Sequence, residues 1–151
     1  MSTTTPTESA RWWFGALAVI KATATDTGGQ LSIVEVAEPP NAEAPLHVHH
    51  REDEGFYVLE GSVTIHVGDD IVAECGPGDF AWGPRDIPHR YKTGPDGCRM
   101  LFICTPGGFE KLVTDMSVPA QSLTLPPAGN AEPDWDHVAK VAAANHCKLL
   151  A

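Results

Sequence analysis

Turn-forming residues recur along this chain at intervals too short for a scaffold of long helices. DTGG at 26–29, EPPNAEAP at 38–45, GDD at 68–70, CGPGD at 75–79 and TGPDG at 93–97 are clusters of Gly, Pro, Asn and Asp, residues that either supply left-handed backbone or pre-set a bend. Between them lie segments rich in β-branched and aromatic side chains, near 12–24, 31–37, 46–50, 54–60, 62–67, 71–74, 80–83, 87–93 and 98–105. Short strands at such even spacing predict an all-β, antiparallel sandwich or barrel. The 14 Gly and 13 Pro among 151 residues favour the same answer.

That length suits one domain. Residues 1–10, MSTTTPTESA, are nearly without apolar side chains and are expected to form a loose tail. The barrel is expected over 11–106. From 107 to 151 the pattern changes: GGFEKLVTDM reads as one short helix and PAQSLTLPPAGNAEP as a surface loop. A final helix follows, with Pro133 in its first turn, Asp134 and Asp136 near its start and its end close to Asn145.

Charge narrows the partners. Ten Lys and Arg stand against twenty Asp and Glu, a formal charge of -10, which repels phosphate backbones and argues against nucleic acid. A small molecule is the expected partner. The apolar run WWFGALAVI, Trp12 to Ile20, is shorter than the 20 or so residues a membrane helix needs. Before it stand Glu8 and a lone Arg11 in place of a basic leader. Cys75, Cys98, Cys104 and Cys147 show no C-x-x-C pairing, so they are expected to be reduced, mostly buried thiols. The expected location is cytoplasmic, without a membrane.

The stretch LHVHHREDEGFYVLEG, Leu46 to Gly61, concentrates three histidines and four acidic side chains. On an extended strand His47 and His49 share a face, while His50 points the other way. Glu54, Phe56 and Val58 alternate on the next segment, and His89 follows a rigid Pro84 to Pro88 stretch. Two readings stand open on the residues alone: a ligand set of imidazole nitrogens and a carboxylate, or a solvated loop that happens to be rich in histidine. His66, His137 and His146 read as ordinary strand and helix positions.

Taken together, the two segments resemble the cupin superfamily. Its first motif, G-x5-H-x-H-x3,4-E-x6-G, is matched from His47 through His49 and Glu54 to Gly61, with Asn41 in place of the opening glycine. Its second, G-x5-P-x-G-x2-H-x3-N, is met by Gly78, Pro84 and His89, with Asp86 in place of the inner glycine and Thr93 in place of the asparagine. The resemblance implies a double-stranded β-helix, or jelly-roll barrel, with short C-terminal helices.

It also implies that His47, His49, Glu54 and His89 bind one divalent transition metal ion, whether Fe, Ni, Co, Mn, Cu or Zn. Such a set leaves about two positions of an octahedral ion open. The tail segment is similar to small bacterial cupins of the flavonol (quercetin) dioxygenase-like kind, which implies a dioxygenase acting on a small aromatic or enolic substrate, with Glu54 as catalytic base. The alternatives are a non-redox isomerase or cyclase and a binding module without catalysis. Phe56, Tyr91, Met100 and Phe102 are the expected substrate-binding side chains, along with Val58 on a cavity-facing strand. Because small cupins commonly dimerise, Trp12, Trp13 and Phe14 are expected either to pair with a second copy in a homodimer or to cap one barrel end.

Overall fold

A computed structural model describes residues 9–128 and 132–150. Among them ten strands and two helices follow in the order β1 Ala10–Trp13, β2 Ala16–Ala22, β3 Ser32–Glu38, β4 Glu43–His49, β5 Asp53–Val67, β6 Ile71–Cys75, β7 Phe80–Gly83, β8 His89–Thr105, α1 Phe109–Met116, β9 Val118–Pro119, α2 Trp135–Ala144 and β10 Cys147–Leu149. Neighbouring strands run β10-β4-β8-β3-β2-β1-β9, and β5 pairs with β6, β7 and β8. Every pairing is antiparallel. The result is an all-β jelly-roll barrel with two short helices.

The core follows from alternation. Val34 and Val36 on β3, Phe56, Val58, Val63 and Ile65 on β5, and Met100 and Phe102 on β8 are all at most 2 % exposed. Burying each such side chain stabilises the fold by about 1.5–3 kcal/mol.

Two strands are longer than their sequence suggests. The expected strands break at Gly61 and across TGPDG at 93–97, but β5 and β8 run through both. On β5 the buried positions are even before the corner (Glu54, Phe56, Val58) and odd after it (Val63, Ile65, Val67). On β8 they are odd before (His89, Tyr91, Thr93) and even after (Cys98, Met100, Phe102, Cys104). The shift of phase occurs where the pairing slips, between Val58 and Glu60 and between Gly61 and Val63, so both strands turn the same corner together by bulging.

Gly61 and Gly97 make that corner possible, with φ of 74° and 76°. A Cβ on Gly61 would lie 2.1 Å from the Gly97 carbonyl oxygen.

The segment expected as one strand over 12–24 is instead a β1–β2 hairpin, because Phe14 takes φ 55° and turns the chain. Gly15, the second residue of the turn, is the one turn signal inside that apolar run. Ser9 and Ala10, expected in the tail, are buried, and Ile20 N–H donates to the Ser9 carbonyl at 3.0 Å. The rest of the tail expectation, residues 1–8, lies outside the described residues.

The two helices form where the sequence places them. α1 buries Phe109, Leu112 and Val113, one face at i, i+3 and i+4. In α2 Asp134, not Pro133, begins the first turn: its side chain accepts from His137 N–H, and Asn145 closes the helix. Beyond it β10, which is too short to show in the pattern, pairs with the free edge of β4, setting Cys147 opposite His49 and Leu149 opposite His47. All four cysteines are buried and free. None of the described helices is long and apolar enough to cross a membrane.

Candidate metal centre and cavity

β4 lies between β10 and β8, so its inward side chains enter the barrel at a fixed depth. His47 pairs with His89 across β4 and β8, and β8 in turn pairs with β5, which carries Glu54 at its start. Three strands thus bring four side chains together. The His47, His49 and His89 ring centroids stand 4.9, 4.4 and 5.4 Å apart. One donor atom from each histidine and one from Glu54 lie within 4.8 Å of one another. His49, Glu54 and His89 are at most 3 % exposed, and His47 is half-buried.

The orientation of these groups tests whether they suit a cation. His47 Nδ1 lies 2.7 Å from the Pro45 carbonyl oxygen. A carbonyl can only accept, so Nδ1 holds the proton and Nε2 keeps its lone pair. Glu54 Oε2 is 2.9 Å from His89 Nε2 and 3.5 Å from His49 Nε2, yet all three atoms are buried without a hydrogen bond of good geometry. They converge on a common point instead of on one another. Donors at about 2.1 Å from one ion are at most about 4.2 Å apart, so the observed spread closes onto an ion with shifts of a few tenths of an ångström. The donor set fits a divalent transition metal.

Electrostatics points the same way. Burial, reinforced by His89 and His49, pulls the His47 imidazole down to about 4, and burial likewise lowers His49. Both rings are neutral near pH 7, the form that ligates. Burial by itself would raise the Glu54 carboxyl, but His89, His49 and His47 around it prevail and hold it below its usual value. Glu54 is therefore the anionic member of the cluster.

Neighbours hold the ring positions. Gly83 leaves room for His89: a Cβ there would sit 3.2 Å from Nδ1. Asp86, at φ 67°, donates its N–H to the His49 carbonyl at 2.8 Å, and its carboxylate meets His50 Nδ1 at 2.8 Å. His50 thus faces outward and ties down the loop before His89. Asn41 takes φ 56°, so both residues that stand where the motif has glycine keep the left-handed backbone. Thr93 Oγ1 donates to the Pro39 carbonyl at 2.7 Å and accepts from Ala42 N–H at 2.8 Å, pinning the segment that leads into β4.

Glu52 departs from the sequence reading. Expected in a solvated turn, it is 3 % exposed, with Oε2 3.7 Å from His49 Nδ1. The chain folds back at Arg51, whose Nε lies 3.4 Å from Glu52 Oε1, so the carboxyl is carried inward.

Above the four side chains opens a cavity of about 280 Å³ whose lining includes all of them together with Trp13, Glu38, Tyr91, Phe102, Phe109 and Trp135. This is near the small end for ligand pockets. Of the four expected substrate-binding residues, Tyr91 and Phe102 line it. Phe56 and Met100 do not: both are buried in the core, Phe56 with its ring 5.6 Å from that of His89. The N-terminal aromatics are engaged within the chain. Trp13 packs edge-on against Phe102 and Phe109, Phe14 stacks on Trp135, and Trp12 Nε1 donates to the Thr124 carbonyl. A wider surface depression, about 1070 Å³, contains none of the four donors.

The sequence comparison agrees with this geometry. The family model described as a cupin domain matches residues 34–104, the span from β3 to the end of β8 that carries all four donors. The chain belongs to the cupin superfamily. This cupin is 30% identical over 108 residues to quercetin 2,3-dioxygenase of Bacillus subtilis (strain 168), covering 71% of this chain and 32% of that protein. It thus spans about a third of that relative's length.

Among solved structures, it is similar to oxalate decarboxylase from Bacillus subtilis at 25% identity and a TM-score of 0.58, over 65% of this chain and 27% of that one. KdgF from Halomonas sp. shares the fold at 21% identity and a TM-score of 0.57, over 64% of this chain and 84% of that one.

Proposed function

We propose that this cupin is a metal-dependent dioxygenase acting on a small aromatic or enolic substrate. The observation that carries the reading is the convergence of His47, His49, Glu54 and His89 on the floor of an aromatic-lined cavity, with the facing atoms of His49, Glu54 and His89 unpartnered. The likeness to a quercetin 2,3-dioxygenase supports the substrate class. The ion itself would supply Lewis acidity and, if redox-active, electron exchange with dioxygen.

The protein's own part is binding and proton transfer. Aromatic walls from Trp13, Tyr91 and Phe102 accept a flat ring and exclude water. Glu54, held ionised, takes the proton of the substrate's hydroxyl and so delivers the electron-rich enolate or phenolate form. The lining includes Glu38 and Glu43 but no Lys or Arg, which disfavours small dianionic substrates.

The test pairs metal analysis with oxygen uptake. Glu54→Gln retains part of the metal, while oxygen uptake with flavonols or aromatic diols falls by about 10²–10⁴-fold, the usual worth of a positioned base. A variant that turned over at the parent rate would remove Glu54 from the base role. Conversion of an enolic substrate without oxygen consumption would favour isomerase or cyclase chemistry, and tight binding with no product a binding module. Four buried free thiols favour a reducing, cytoplasmic setting, and a homodimer is the expected assembly, to be read by light scattering.

A further inference from the structure

Of the polar side chains in the lining that take no part in the donor cluster, among them Glu43 and the Trp13 indole N–H, Glu38 is the carboxyl tied to Tyr91. Glu38, the last residue of β3, contributes to the lining together with aromatic and aliphatic side chains. Its Oε2 accepts a hydrogen bond from the Tyr91 hydroxyl at 3.3 Å. Its other oxygen has no partner among the described residues. Tyr91 stands two residues after His89 on β8, on the same inward face, about 7 Å further along the strand. The cavity therefore has two polar ends: the histidine cluster and, past Tyr91, the Glu38 carboxyl.

We propose that Glu38 is the second anchor for the substrate, its free oxygen bonding a hydroxyl remote from the one presented to the histidine cluster, so that the site selects neutral polyhydroxylated aromatics over singly hydroxylated ones. This rests on the reading that the cavity admits a hydroxylated aromatic ring. Glu38 is only partly buried, so its unused oxygen is open to a ligand in the cavity, and a hydroxyl bonds it without adding charge. A ligand carboxylate would face Glu38 with no cation in the lining to offset it. Burial pushes Glu38 up to about 7, so near neutrality it is present both as acceptor-only carboxylate and as an acid able to donate, and either form can meet a hydroxyl.

The experiment is an anaerobic titration of metal-loaded protein with 3-hydroxyflavone and with quercetin, followed by tryptophan fluorescence or calorimetry, so that binding is read without turnover. Wild type binds quercetin about tenfold or more tightly than 3-hydroxyflavone, as one hydrogen bond to a carboxyl group implies. Glu38→Leu removes that preference by weakening quercetin alone, and Glu38→Gln, which keeps a polar partner for Tyr91 and the hydroxyl, retains part of it. Thermal melts and metal content establish that both variants fold.

If Glu38→Leu binds quercetin as wild type does, the anchor is refuted while the reading of the cavity stands. If wild type binds neither flavonol, that reading has itself failed, and the anchor falls with it.

Discussion

Glu38→Gln tests the electrostatics of the cavity through folding stability, independently of any ligand. In the unfolded chain this carboxyl titrates near 4.5, and burial raises it to about 7 in the fold, against the weaker opposing pull of the Tyr91 hydrogen bond. Between those pH values the folded protein holds a proton that the unfolded chain has already released. Stability therefore falls as pH rises through this window. At about 1.4 kcal/mol per pH unit, the full displacement makes Glu38 a liability of about 3 kcal/mol above pH 7.

His47 works in the opposite direction. Its imidazole is held down to about 4, so below about 6.5 the unfolded chain binds the extra proton and stability is lost as pH falls. The wild-type profile alone sums such opposing slopes. The difference between variant and parent isolates Glu38. Urea unfolding at equal metal content, at half-unit steps from pH 4.5 to 8, should show the stability of Glu38→Gln rising relative to wild type by about 3 kcal/mol across the window. A difference that stayed flat within about 0.5 kcal/mol would mean that the carboxyl titrates as if in water, and the argument from burial would be wrong.

The barrel corner and the approach to the histidine strand offer two further checks. Gly61→Ala places a Cβ 2.1 Å from the Gly97 carbonyl oxygen at a φ of 74°, which should cost about 2–4 kcal/mol in urea unfolding; a loss below about 0.5 kcal/mol would show that the corner relaxes freely. Thr93→Val leaves the Pro39 carbonyl and Ala42 N–H without their side-chain partner, for an expected loss of about 2–4 kcal/mol. Because that segment positions β4, metal affinity, read by competition with a chelator, should weaken as well, and unchanged affinity would confine Thr93 to a purely structural role.

Most strands between Trp12 and Thr105 were readable because short β-rich segments alternate with turn residues, and the candidate donors were readable because two segments resemble the cupin motifs, where spacing alone also left a histidine-rich loop open. Other features were hidden. The corner in β5 and β8 reads as two turns, since Gly61 and TGPDG carry the composition of a loop; only the pairing of the two strands shows that they bulge together. Phe56 and Met100 share the inward parity of Tyr91 and Phe102, so periodicity cannot separate residues that fill the core from residues that wall the cavity. Glu52 lies in a run of charged residues, and nothing local announces that its carboxyl turns inward beside His49.

By itself, then, the sequence determined the class of fold and, through its likeness to two cupin motifs, named the four candidate donors, because both depend on short-range order: side-chain alternation, turn residues and motif spacing. Tertiary structure alone decided which atoms meet. Glu38 and Tyr91 are 53 residues apart, and β10 joins β4 from the far end of the chain. Contacts of that kind arise from how strands are ordered and staggered around the barrel, which no local pattern of residues encodes.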